Sequence, residues 1–219
     1  MTTSSIGTSP GNTSTRRRIT IPASRPLLRY RTIDLVIPAM VGVAFGVVFM
    51  GWDVVYVAPY AAIGAVPLLG ILGGPWLLAG VVGGLLVRRP GAALLTELIA
   101  AAVEAIPGTQ WGWTTLISGT LQGLGVELAL ALFLWRRFGP GVAVLAGALA
   151  AAFEVVVYEW HAWYPDWTWA WKLGYLGLFA LSGAVVAGLG GWFIVRVLAK
   201  TGAIRAMPAG QEMLERRAR

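Results

Sequence analysis

The arginines of this chain come in clusters, and the stretches between the clusters are apolar for longer than a soluble core requires. Arg16–Arg18, Arg88-Arg89, Arg136-Arg137 and Arg216-Arg217 are separated by runs near Ile33–Gly51, Val54–Val87, Gly91–Ile106, Thr114–Trp135, Gly141–Trp160 and Trp171–Leu198. A hydrocarbon core about 30 Å thick needs roughly 20 helical residues per crossing. Only 12% of the 219 residues are charged, about half of what coats a soluble protein. The pattern predicts an all-α integral membrane protein that crosses the bilayer several times.

Four of the runs fit one crossing each, and Gly91–Ile106 is slightly short. Val54–Val87 is too long for one crossing and is interrupted by Pro59, Pro67, Gly70, Gly73, Gly74 and Pro75. Basic residues collect on the cytoplasmic side of membrane proteins. A double crossing here would put Arg88-Arg89 outside, so one net crossing with an irregular Pro/Gly-rich segment is expected. Six transmembrane helices then result, with both termini cytoplasmic. In this arrangement Lys172 alone of the 17 basic residues falls on the outer side. The expected organisation is a disordered, basic cytoplasmic tail over 1–30, a six-helix domain over 31–200, and a cytoplasmic C-terminal tail over 201–219. The basic stretch over residues 16–31, with no small-residue cleavage pattern after the first apolar run, argues against a secretory signal.

The net charge of +7 flanks apolar segments instead of forming a phosphate-tracking groove, so no nucleic-acid partner is expected. Cysteine is absent and His161 is the single histidine, so neither disulfides nor a histidine or thiolate metal centre is expected. No Walker motif is present, and any ATP hydrolysis belongs to partners.

Carboxylates within apolar spans cost on the order of 3 kcal/mol each, so each needs a reason. Glu97 and Glu104 share a helix face two turns apart, and Gln122 and Glu127 lie on related faces of the next span. Glu154, Tyr158 and His161 form one stripe at α-helical spacing. Glu97, Glu104, Gln122 and Glu154 therefore converge on the outer half of the bundle without a basic partner, and a ligand could supply the missing counter-charge. Helix–helix hydrogen bonding or protonation is the alternative for each. That alternative is preferred for Glu159 and Asp166, near the interface. The turn Pro107–Trp113 brings Trp111 and Trp113 beside these carboxylates, where indole faces suit an organic cation; interfacial anchoring is the alternative. Gly42 and Gly46 form a small-xxx-small spacing that permits close helix approach.

The stretch Arg89-Pro-Gly-Ala-Ala-Leu-Leu-Thr-Glu97, Glu104, Gln110-Trp111-Gly112 and Leu121-Gln-Gly-Leu-Gly-Val-Glu127 resembles the YkoE family. Its members are S components, the substrate-binding subunits, of energy-coupling-factor (ECF) ABC transporters for thiamin or its hydroxymethylpyrimidine precursor. The likeness covers about residues 30–200. It implies a protein of the prokaryotic cytoplasmic membrane that captures the vitamin from outside, without catalysis or a cofactor of its own. Its partners would be a transmembrane coupling subunit and two ATPase subunits, with Gly42 and Gly46 matching the small residues that contact the coupling subunit. On this reading Glu97, Glu104, Gln122 and Glu154 bind the polar edge of the ligand, and Tyr56, Trp111, Trp113 and Tyr158 stack on it. The rivals are an S component for another small molecule, an intramembrane enzyme using the Glu/His set, and a structural membrane subunit.

Overall fold

In the computed structural model every regular element is helical, and residues 30–217 are described. The expected tail over 1–30 lies almost wholly outside these residues. Helix α1 (Thr32–Ile63) starts where the Asp34 carboxylate accepts the Arg31 backbone N–H at 3.0 Å and its guanidinium at 2.8 Å. It then runs for 32 residues, roughly 48 Å at 1.5 Å per residue. The sequence expectation ended this crossing at Gly51. The helix instead continues three turns further, because no residue stops it until Gly64. Pro59 lies within its last turns and does not end it. This overshoot carries Trp52, Asp53, Tyr56 and Tyr60 beyond a 30 Å core.

The irregular segment therefore begins later than expected. It consists of two 3-10 helices, Pro67–Leu72 and Gly74–Leu77, leading into α2 (Leu78–Val87). Irregular backbone at membrane depth persists only where its polar groups find partners. Here Ser182 Oγ donates to Ile71 O at 2.6 Å and accepts the Gly74 N–H at 3.1 Å, and Trp52 Nε1 donates to Leu72 O at 3.1 Å.

Helix α3 (Ala92–Ala105) follows the left-handed Gly91, φ 83°. Glu127 caps its first turn, with Oε1 accepting the Ala93 N–H at 2.8 Å and Oε2 the Trp135 indole N–H at 3.1 Å. A carboxylate at a helix N-terminus also complements the macrodipole, which accounts for Glu127 without a ligand. Helix α4 (Thr115–Leu132) follows a short 3-10 turn at Gly112–Thr114. Helix α5 (Pro140–Glu154) continues through a π-helical turn (Val155–Glu159) into the short α6 (Trp160–Ala162). Helix α7 (Trp169–Ser182) likewise passes through π-helical Gly183–Gly190 into α8 (Gly191–Thr201). The expected C-terminal tail contains helix α9 (Pro208–Arg217); the segment leading into it buries Ile204 and Met207, and the helix buries Ala209.

Among the described residues, five segments are long and apolar enough to cross a membrane: Thr32–Ile63, Pro67–Val87, Gly112–Leu132, Pro140–Ala162 and Trp169–Thr201. The sixth expected crossing is α3, whose 14 residues reach only about 21 Å. Residues such as Met40, Val47, Val54, Leu173 and Phe193 are exposed. An apolar exterior over polar interior residues inverts the soluble pattern, as a multi-pass membrane protein requires.

Gly42 and Gly46 are used inside the bundle. A Cβ on Gly42 would sit 2.7 Å from Thr96 O, and one on Gly46 would sit 2.6 Å from Val103 Cβ. Their face is occupied by α3 of the same chain, and they bring α1 onto α3.

Candidate substrate cavity

Four of the polar residues that the membrane should exclude meet in one cavity of ≈ 90 Å³ at the tryptophan-rich end of the bundle. Glu97 and Glu104 come from α3, Gln122 from α4, and Glu154 from the end of α5. All four are buried, with Glu97 at 0% exposure. No lining residue is Lys, Arg or His.

Each carboxylate is held differently. Glu97 Oε2 accepts the Gly80 backbone N–H, while its Oε1 is buried without a hydrogen-bond partner. Glu104 Oε1 accepts the Trp76 indole N–H at 3.2 Å. Its carboxyl also interacts with that of Asp53. Glu154 Oε2 accepts from the Gln122 amide, and Ser118 also bonds this carboxyl. Three carboxyl groups, one with an unsatisfied oxygen, thus belong to the wall of a cavity lined by no Lys, Arg or His.

Aromatic rings form the rest of the wall. Tyr56 packs edge-on to Trp76 at 4.8 Å, Tyr60 to Trp111 at 5.5 Å, and Trp111 to Trp163 at 5.4 Å. The overshoot of α1 supplies Tyr56 and Tyr60, and the Pro/Gly break supplies Trp76. Tyr164 and Tyr175 close the α7 side. Burial pushes the Tyr164 hydroxyl above its ordinary range, so it remains a neutral hydrogen-bond donor.

Six of the eight expected ligand residues line this cavity: Tyr56, Glu97, Glu104, Trp111, Gln122 and Glu154. Trp113 does not. It lies two residues from Trp111 on a 3-10 turn and is 70% exposed, as an interfacial anchor would be. Tyr158 does not line the cavity either, and touches it only through an edge contact with Trp163 at 6.5 Å. The reason is the π turn over Val155–Glu159. A π-helix brings residue i+5 under residue i, so Glu159 follows Glu154 into the cavity and Tyr158 turns aside. Glu159, expected to be a plain interfacial carboxylate, lines the wall and hydrogen-bonds Tyr175. Its side chain is deep in the fold yet partly open to the cavity. His161 is exposed and lies outside the cavity. π turns recur at functional sites, and nothing in the amino-acid pattern signals this one.

Among the described residues, no group of three or more His, Cys, Asp or Glu could hold a metal ion. The cavity offers carboxyl groups, an amide and ring faces, a set suited to an organic cation or an amino-bearing heterocycle.

Residues 33–153 match the family model described as ABC-type cobalt transport system, permease component. A Bacillus subtilis (strain 168) protein named "Putative HMP/thiamine permease protein YkoE" is 29% identical over 193 residues, covering 87% of this chain and 95% of the relative. A solved structure described as a crystal structure of an S-component of ECF transporter superposes with a TM-score of 0.82 at 28% identity, covering 87% of this chain and 96% of that one. These relatives are transport subunits, and the enzyme reading of the Glu/His set falls with them. The chain belongs to the family of ABC-type cobalt transport system permease components, and over most of its length it is a YkoE-like protein with the fold of an ECF-transporter S component.

Proposed function

We propose that this S component captures thiamin, or its hydroxymethylpyrimidine precursor, in the cavity bounded by Glu97, Glu104, Gln122 and Glu154. The observation that carries the reading is the buried, unpartnered Glu97 Oε1 in a cavity walled by Tyr56, Trp76 and Trp111. An aminopyrimidine brings an amino donor to a carboxylate acceptor. A thiazolium is a permanent cation, which ring faces attract by roughly 0.5–2 kcal/mol each. The name of the Bacillus subtilis relative supports the same ligand class.

The tryptophan-rich end faces outward in this proposal, and both termini are cytoplasmic. Arg88, Arg89, Arg136, Arg137 and Arg196, all outside the terminal tails, support this orientation under the positive-inside rule. The membrane is the prokaryotic cytoplasmic membrane, and a coupling subunit with two ATPases supplies the energy. The enclosed ≈ 90 Å³ is less than the roughly 300–1,000 Å³ of small-molecule pockets. Entry of a two-ring ligand therefore requires the wall of Tyr60, Trp111 and Trp163 to part.

Cobalt is the second reading, carried by the description of the family model. The donor set disfavours it, since these carboxylates are spread among separate hydrogen-bond partners instead of being grouped around one point. Titrating purified protein with thiamin, hydroxymethylpyrimidine and Co²⁺ against intrinsic tryptophan fluorescence separates the cases. Saturable quenching by thiamin or the pyrimidine supports the proposal. A saturable response to Co²⁺ alone overturns it.

A further inference from the structure

At the arginine-rich end, remote from the aromatic cavity, a second cavity of ≈ 510 Å³ opens between the end of α2, the α4–α5 turn, α8 and α9. Arg88, Arg136, Arg137 and Arg196 stand on its wall with one carboxylate, Glu212. Glu212 is engaged by Arg88 at 2.7 Å. Among the described residues Arg136, Arg137 and Arg196 form no ion pair. The first 29 residues contain no Asp or Glu, so that segment has no acidic side chain to offer them.

The backbone is bent around these arginines. Arg88, Leu134 and Trp135 are the non-glycine residues with left-handed backbone among the described residues, at φ 59°, 52° and 51°. One is a cavity arginine, and the other two form the turn that leads directly into Arg136-Arg137. Left-handed backbone is unfavourable for residues with a Cβ, and such strain concentrates at functional sites. Rings then fix two of the guanidinium groups, Arg88 over Phe138 at 4.6 Å and Arg196 over Trp192 at 4.9 Å. A guanidinium stacked on a ring keeps its edge N–H groups available for an anion.

We propose that this cavity binds the phosphate headgroup of an anionic membrane lipid. The guanidinium N–H groups donate to the phosphate oxygens, since arginine matches that geometry with paired bonds. Basic pockets between membrane helices on the cytoplasmic side take such headgroups. The apolar part of the wall, Trp192, Val195 and Met213, suits the start of an acyl chain. The exposed Phe193 and Val197 on the same helix continue toward the hydrocarbon, which favours a lipid over free phosphate.

Native mass spectrometry of the full chain, offered equal phosphatidylglycerol and phosphatidylcholine in detergent, tests this. The parent retains phosphatidylglycerol preferentially. Arg136→Gln/Arg196→Gln binds it more weakly by roughly fivefold per arginine. Lys200→Gln/Arg205→Gln, the same charge change at exposed residues outside the cavity, matches the parent. Equal loss in both pairs, or no preference in the parent, overturns the proposal. Displacement by inorganic phosphate alone assigns the site to a soluble anion and also overturns it. So does unchanged lipid retention alongside lost association with a coupling subunit. Thermal unfolding midpoints confirm that the variants fold, and Arg137→Gln provides a second variant if one does not.

Discussion

Glu97 lines the cavity with one oxygen committed to the fold and the other without a partner, so a single substitution separates the two roles. In Glu97→Gln the amide carbonyl can still accept the Gly80 N–H, which keeps α3 joined to α2. The NH₂ then replaces Oε1, the atom without a partner. A ligand amino group that had an anionic acceptor now meets a donor. Hydrogen bonds to charged groups contribute about 1.5–3 kcal/mol, so affinity should fall roughly 10- to 150-fold while the unfolding midpoint stays near the parent's. Glu97→Ala should do worse on both counts, because it strands the Gly80 N–H in the interior at a further cost of about 1–3 kcal/mol. Calorimetric titration with thiamin and hydroxymethylpyrimidine, paired with thermal unfolding in detergent, reads both quantities. A Glu97→Gln protein that binds as tightly as the parent would falsify the assignment of Oε1 to the ligand.

Other residues give sharper contrasts. Trp111→Ala should weaken thiamin binding by about 0.5–2 kcal/mol and the neutral pyrimidine by less, whereas Trp113→Ala, at an exposed ring, should leave both affinities unchanged in the same titration. Ser182→Ala removes the partner of both Ile71 O and the Gly74 N–H, and unfolding should show a loss of about 2 kcal/mol or more. Gly46→Leu drives a side chain into Val103 and Ala100 O, so thermal unfolding should report about 1–3 kcal/mol of overpacking. Glu127→Gln should lower stability by about 1 kcal/mol through the weakened α3 cap and leave ligand affinity intact, measured side by side.

The parts of the site legible in the sequence were those where a physical cost stood out. Glu97, Glu104, Gln122 and Glu154 are conspicuous because apolar spans tolerate such groups only for a purpose. Trp111 was found by its place in a short turn, and Tyr56 by the family resemblance. Trp76 was hidden in a Pro/Gly break whose 3-10 geometry no residue pattern specifies. Tyr60 was obscured because α1 runs past the expected end of its crossing, and Trp163 and Tyr164 because interfacial anchoring explains any outer aromatic. Glu159 and Tyr158 exchange roles through one π turn, since assuming 3.6 residues per turn selects the wrong one of the pair. The spacing of Gly42 and Gly46 permits a close helix contact but does not say which helix approaches. Their partner is α3.

A structure of the protein at saturating thiamin tests the central claim most directly. The account predicts the aminopyrimidine edge within hydrogen-bond distance of Glu97 Oε1, with the thiazolium against the rings of Tyr56 and Trp111. Thiamin bound elsewhere on the protein, or this cavity empty at saturation, would contradict it.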